Sequence, residues 1–528
     1  MDRPLTVFRR HEEQLYLGAA GLVIAVAALL PLLVLCGQLV SSTAPASGPA
    51  ATLASARIWL LLARSLGVAA AVTALALGVG VPLGFIFART DAPGRWVAFA
   101  LHAFPMFVPP FLLALGWFHW FGRQGLLGSE TSSRALFSAG GLIAILVATF
   151  TPIVTSLAAL ALSAIDPALE EAARVVARPW RVATHISLGA IRPALALAAL
   201  IVFALSLSEL GVPTFLRVDL YPSAVFARLG GVDYAPGEAV ALVLPLLGLA
   251  LILLVAERRF VGARSFAVLG ARAAERFTIP LGRWRVVGAL AGLLAAVVGL
   301  APLGALIGRA GLGGFSSVPA WMGGSLWNSL AEASLAASIM TALGIVVGRA
   351  LARRRRAAAP LDALAMLAFV MPASVLGVGI LATWNRSATA AIYGSLAIVV
   401  IGWTARYLIV STRTIAIAVA QSPLHLEEAA AAVGSPFGRR LRRIVMPLHR
   451  RGIAAAWLLA FVFCLRDLET VVLFYPAGRE PLTVRIFTLE ANGPPAAVAA
   501  LAALQIAVVA GVVAGAGVAQ LAARTGPR

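Results

Sequence analysis

Three acids lie where acids are costly. Glu209 sits in Leu207-Ser208-Glu209-Leu210-Gly211, and Asp467 and Glu469 sit in Leu465-Arg466-Asp467-Leu468-Glu469-Thr470, all within long apolar stretches. Ionisable groups at membrane depth mark a translocation pathway or an internal ion pair. Glu209, Asp467 and Glu469 could line a cation pathway, or pair internally, for example with Arg466. Both readings stay open from the residues alone, as does whether a metal meets these side chains. The other chemical motifs fall away. Gly78-Val79-Gly80-Val81-Pro82-Leu83-Gly84 matches the dinucleotide pattern but lies inside an apolar span, without the strand, helix and acid that pattern requires. A P-loop needs a lysine, and the 42 basic residues are all arginine. Zinc-protease, paired-cysteine and nucleophile-elbow signatures are also absent from the sequence. The two cysteines, Cys36 and Cys464, lie far apart in apolar stretches and read as small buried hydrophobes. The chain therefore reads as a non-enzyme that carries no cofactor of its own.

Two hydrophilic segments are more informative. The first runs Asp166-Pro167-Ala168-Leu169-Glu170-Glu171-Ala172-Ala173 to Ala177 and Pro179. The second runs Ser422-Pro423-Leu424-His425-Leu426-Glu427-Glu428-Ala429-Ala430 to Gly434 and Pro436. Asp166 and Ser422 are N-cap residue types, each followed by proline and then by glutamates in the first turns, where the helix dipole favours negative charge. Gly434 and Pro436 then stop the second helix. Each segment predicts a short helix, a turn and a basic return to the membrane.

The elements that must hold these groups follow from composition. Of 528 residues, 61% are hydrophobic and 12% charged, against roughly a quarter charged in soluble domains. About twelve stretches are long enough to cross a bilayer. They lie near 15–36, 59–87, 95–120, 137–163, 194–216 and 237–256, then near 286–308, 326–350, 361–383, 391–411, 453–475 and 497–522. Pro82 interrupts the second, and Pro105, Pro109 and Pro110 interrupt the third, as kinks that membrane helices tolerate. The net charge of +20 comes from arginine clusters between these blocks, as in Glu257 to Arg285, Arg353 to Arg356 and Arg439 to Arg451. That placement fits basic loops on the cytoplasmic side rather than nucleic-acid binding. An even number of spans then puts both termini in the cytoplasm.

The chain also repeats itself. Ser65, Gly80, Gly84 and Arg89 match Ser329, Gly344, Gly348 and Arg353; Pro109 and Gly116 match Pro372 and Gly379. The two hydrophilic segments match, and Glu209 matches Asp467. Two six-span halves of equal topology result. The boundaries read as a cytoplasmic N-terminus at 1–14, a first membrane domain at 15–260, a basic linker at 261–284 and a second membrane domain at 285–523. Gly80 to Gly84 and Gly344 to Gly348 fit the spacing that lets helices approach closely.

The hydrophilic segments resemble the EAA loops of binding-protein-dependent ABC importer permeases. Glu428-Ala429-Ala430, Gly434 and Ile444-Val445-Met446-Pro447 carry the pattern in the second half. Glu171-Ala172-Ala173 carries it in the first, with Ala177 in place of the glycine and Gly189 in place of the proline. Fused two-domain permeases of this length most resemble those for ferric iron. The resemblance implies an all-α inner-membrane protein whose loops are ATPase-coupling helices, carried by Glu170, Glu171, Ala172 and Ala173 and by Glu427, Glu428, Ala429, Ala430 and Gly434. It also implies two copies of a separate ATPase, which binds the ATP and magnesium, and a periplasmic or lipid-anchored binding protein. Thiamine, polyamine and phosphonate importers share the pattern. A twelve-helix secondary transporter of the major facilitator type is the alternative of another class.

Overall fold

The computed structural model describes residues 3–41, 53–178, 181–230, 236–260 and 278–525. The protein is all-α; the described residues contain no strand, only a bridge between Thr90 and Ile279. Among the described residues, eight helices are long and apolar enough to cross a membrane, and four bent helix pairs bring the number to twelve if each pair is one span. Residues 261–277 of the expected linker lie outside the described residues.

The first half comprises α1 (Arg3–Ile24), α2 (Leu30–Ser41), α3 (Ala56–Arg89), α4 (Arg95–Ala103), α5 (Pro110–Phe121), α6 (Ala139–Ser163), α7 (Pro167–Val176), α8 (Arg192–Ser208) and α9 (Pro236–Phe260). The second comprises α10 (Arg285–Met322), α11 (Ser325–Ala352), α12 (Ala358–Val370), α13 (Ala373–Trp384), α14 (Leu396–Ala420), α15 (His425–Ala432), α16 (Arg450–Arg466) and α17 (Pro495–Thr525). Helix α1 starts within the segment expected to precede the first span, and α10 runs on to Met322 through a break at Gly311. Pro82 does not interrupt α3, which continues through it.

The glycine pairs do what their spacing implies. A Cβ on Gly80 would stand 2.7 Å from the Val154 Cβ, and one on Gly84 would stand 2.8 Å from the Ala158 Cβ. Gly348 gives 2.5 Å to the Thr412 carbonyl oxygen. So α3 packs on α6, and α11 on α14, with backbones too close for a side chain.

Two expectations change. The third span is not a kinked helix, and the ninth is not one continuous helix: they fold back by 109° and 107° between half-helices. Pro109 and Pro372 hold extended backbone at the turns, and the prolines deny the amides that would carry a helix through. The fifth and eleventh spans also stop early. Helices α8 and α16 end at Ser208 and Arg466, so Glu209 and Asp467 are extended residues at helix ends rather than positions inside a helix.

The two halves are interlocked. Helix α10 packs on α4 and α5 of the first half, where a Cβ on Gly116 would meet the Pro302 carbonyl oxygen. Helix α2 packs on α13 of the second half, with Gly379 against Pro31. Charges add a clamp: Arg413 of α14 pairs with Glu257 of α9 at 2.7 Å and with Asp362 of α12 at 3.1 Å, and Arg258 reaches Asp362 at 2.7 Å.

Candidate functional site

Both short helices form at the arginine-rich end, each between the fourth and fifth spans of its half. Asp166 caps α7 by accepting from the Ala168 amide at 3.0 Å, with Pro167 at the first helical position. Ser422 does not cap α15, whose preceding residue is Leu424. Its hydroxyl is occupied by Arg353 and His449 instead. Gly434 ends α15 in the left-handed region, φ 86°, and the Gly434 and Ser435 amides close onto the Ala431 and Ala430 carbonyls. With Ala177 extended at the matching end, α7 runs ten residues against eight for α15.

The double glutamates divide their work. Glu171 and Glu428 are exposed, as are Ala172 and Ala429, while Ala173 and Ala430 are half-buried. Glu170 and Glu427 are buried, so they are not contact residues for a partner. Glu170 pairs with Arg89 at the end of α3 at 3.0 Å and accepts from the Ser187 hydroxyl at 2.7 Å. Glu427 accepts from Arg349 at 2.7 Å and from Arg353 at 2.8 Å, both at the end of α11. Burial alone would raise the Glu427 carboxyl, but Arg349 and Arg353 outweigh it and hold it below its ordinary value. Each short helix is thereby fixed to the second span of its own half. The signal in the sequence was the match of Arg89 with Arg353; nothing marked Arg349. Near α15, Glu13 adds a bond to Arg349 at 3.0 Å, and Glu12 accepts from the Phe437 amide at 2.6 Å. On their outer faces both helices expose apolar side chains at matched positions, Leu169 at 52% and Leu426 at 42%.

The three pathway candidates also divide. Asp467 is 1% exposed, and its oxygens accept from Trp403 at 3.0 Å, Tyr407 at 2.6 Å and Thr470 at 2.9 Å. It joins α16 to α14 and does not line the central cavity. Glu209 and Glu469 do: with Ser208, Arg406, Tyr407 and Arg466 they surround a cavity of about 20 Å³. Phe150, Leu205 and Ser208 on one side face their repeat counterparts Tyr407, Phe463 and Arg466 on the other, so the cavity lies on the axis between the halves. Phe150 and Tyr407 are each about 20 Å, and Ser208 and Arg466 about 24 Å, from the arginine-rich ends of their helices at 1.5 Å per residue. Sequence reasoning missed Arg406 and Tyr407, whose only mark was polarity within an apolar span. Among the described residues there is no group of three or more metal-ligating side chains.

No family model matches the chain. A Haemophilus influenzae protein named provisionally as a ferric transport system permease is 25% identical over 405 residues, 71% of this chain and 63% of that protein. The ferric transport system permease protein of Actinobacillus pleuropneumoniae is 25% identical over 74% of this chain and 61% of its own length. A molybdate/tungstate transport system permease protein of Thermococcus kodakarensis is 32% identical over 159 residues, 30% of this chain and 60% of its own. The matches thus span about three-fifths of the length of the two ferric-named relatives.

Proposed function

We propose that this chain is the permease subunit of an ATP-binding-cassette importer of the bacterial inner membrane, with ferric iron as cargo. The observation that carries the reading is the matched pair of short helices at one end of the bundle. Each is braced from behind by a buried glutamate–arginine pair and presents an exposed acid and leucine outward. A lipid-lying loop needs no such buried brace. A secondary transporter has no use for two equivalent sockets. The arginine-rich end is then cytoplasmic, as are both termini, and two copies of an ATPase dock there.

The mechanism follows from the connections. An ATPase pair that closes on ATP draws α7 and α15 together. The Glu170–Arg89 and Glu427–Arg349 pairs pass that movement to α3 and α11, and close packing passes it to α6 and α14. Those helices flank the central cavity, so the halves part there. A binding protein delivers cargo at the opposite face. Glu209 and Glu469, which line the central cavity, offer it hard oxygen ligands. Iron is favoured as cargo by the two relatives matched over most of this chain, whose names specify ferric transport.

The test is reconstitution of the chain with its ATPase and binding protein in proteoliposomes. ATP-dependent accumulation of ferric iron is expected, with no ATP hydrolysis by the chain alone. Uptake driven by a proton gradient without ATP would replace the importer by a secondary transporter. ATP-driven uptake of molybdate in place of iron would keep the permease and change its cargo.

A further inference from the structure

Helix α1 continues through a π turn at Ala25–Leu29 into α2, with helical backbone at Ile24 and Leu30, so the chain from Arg3 to Ser41 is one rod. It belongs to the first half by sequence but packs on α11, α12 and α13 of the second. At its arginine-rich end, Glu12 accepts from the Phe437 amide at 2.6 Å. Glu13 accepts from Arg349 at 3.0 Å and from Arg355 at 3.2 Å. The Tyr16 ring lies 5.1 Å from that of Phe437, and the Arg349 guanidinium lies over the same ring at 4.8 Å. Phe437 is buried and opens the short helix Phe437–Arg440 that follows α15. Pro436 before it has no side chain able to cap that helix, so Glu12 supplies the acceptor from a distant part of the chain. About 22 Å beyond Tyr16, at 1.5 Å per residue, the rod reaches Pro31. There it meets α13: a Cβ on Gly379 would stand 3.1 Å from the Pro31 carbonyl oxygen. The arrangement recurs in the other half with its charges reversed. Helix α10 sets Pro302 against Gly116, and its Arg285 pairs at 3.3 Å with Asp91, the repeat counterpart of Arg355.

We propose that Glu12 and Glu13 are positioning residues for the second coupling segment, and that the rod they hold carries its movement to α13; this rests on the importer reading above. The brace through Glu427 reaches only the arginine-rich end of α11. The rod reaches deeper. Helix α13 follows the fold-back of the ninth span, where the Met371 carbonyl accepts from Arg406, a residue of the central cavity. A displacement of Phe437 along the rod therefore arrives behind that cavity. A helix transmits it because hydrogen bonds close every turn, and close packing leaves no slack at the far end. Arg349 joins the two grips, since it bonds Glu427 of α15 and Glu13 of α1 and covers the Phe437 ring. Both acids act through that segment: the Glu12 carboxylate is taken by the Phe437 amide, and Glu13 is buried between arginines.

The test uses the chain assembled with its ATPase and binding protein in proteoliposomes, with iron uptake and ATP hydrolysis read together. Glu12→Ala and Glu13→Gln are expected to lower uptake per ATP hydrolysed severalfold, while ATPase co-purification and hydrolysis persist. Glu12→Gln keeps an acceptor for the Phe437 amide and is expected to stay near wild type. Tyr16→Ala removes the ring against Phe437 and leaves both acids; it is expected to uncouple too, and it carries the test if an acid variant does not assemble. Hydrogen–deuterium exchange on the full chain reads the grip itself. The amides of Phe437–Arg440 should exchange on the order of tenfold faster in Glu12→Ala, as loss of a charge-assisted hydrogen bond implies, and at the wild-type rate in Glu12→Gln. Uptake per ATP at the wild-type value in Glu12→Ala, Glu13→Gln and Tyr16→Ala would overturn the rod. Faster exchange with unchanged uptake per ATP would also overturn it, because α1 would then only brace the fold. A Glu12→Gln variant as defective as Glu12→Ala would remove the Phe437 amide from the grip. A wild type without ATP-driven uptake fails the importer reading, whereas a working wild type with equally coupled variants fails the rod alone.

Discussion

Replacing Glu427 with glutamine removes the carboxylate that Arg349 and Arg353 share at the base of α15. The arginine side chains are 4% and 8% exposed, so neither can recover its charge partner from water. Breaking a buried ion pair by removing one member costs about 3–5 kcal/mol. Arg349 keeps Glu13 at 3.0 Å and Arg353 keeps Ser422, which places the cost near the lower end, about 3 kcal/mol. Each 1.4 kcal/mol is tenfold, so detachment of α15 from α11 should become about a hundredfold more frequent. Hydrogen–deuterium exchange reads this locally: the amides of His425–Ala432 should exchange much faster in Glu427→Gln and unchanged in the exposed neighbour Glu428→Gln. Protonation should act like the substitution. The Glu427 carboxyl is held below its ordinary value of 4.5 in the folded protein. Its contribution is thus complete above that value and is lost as pH falls below it through the folded value. Protection of α15 should hold level from pH 7 to pH 5 after correction for intrinsic exchange, then decline in strong acid. Unchanged exchange in Glu427→Gln, or equal loss in Glu428→Gln, would refute the brace.

The exposed acids should act on the partner. Glu428→Lys is expected to weaken ATPase co-purification and uptake more than Glu171→Lys, because Gly434 ends α15 sharply; a lost charge-assisted contact at a docked interface costs about 2–5 kcal/mol. Equal defects would remove the asymmetry. Glu209→Gln with Glu469→Gln should lower iron uptake while ATPase assembly persists; uptake at wild-type rate would take both acids out of the pathway. Gly348→Val should destabilise the chain by about 1–3 kcal/mol, because its Cβ would lie 2.5 Å from the Thr412 carbonyl oxygen. Gly78→Val, with nothing within 4 Å, should leave the thermal unfolding midpoint nearly unchanged.

Much of this was legible in the sequence because membranes impose simple rules. Apolar length announces spans, and helix spacing announces a packed glycine pair. A doubled motif announces a repeat. The short helices were legible too, since the Asp166 cap, first-turn acids and the terminal Gly434 are local signals; Ser422 read as a cap only because its distant partners Arg353 and His449 were not visible. The resemblance to importer permeases rested on those same local residues.

What the sequence could not supply was any choice between adjacent residues of one kind. Glu170 and Glu171 are alike on paper, as are Glu427 and Glu428; the helical turn of about 100° per residue puts one against a buried arginine and the other in solvent. Asp467 matched Glu209 in register, yet Trp403, Tyr407 and Thr470 consume its oxygens, while Glu469 takes the place at the cavity. The prolines of the third span implied a bend but not a fold-back of more than 100°, and the single Pro372 of the ninth span announced neither. Nor did the order of spans show that α2 and α10 cross to the opposite half. The sequence by itself determined the helices, their repeat and the two short helices between the fourth and fifth spans, because those depend on neighbours along the chain. Only the tertiary structure decided which acid braces, which one stays exposed and which one lines the axis, because burial and ion pairing depend on groups brought together from far apart.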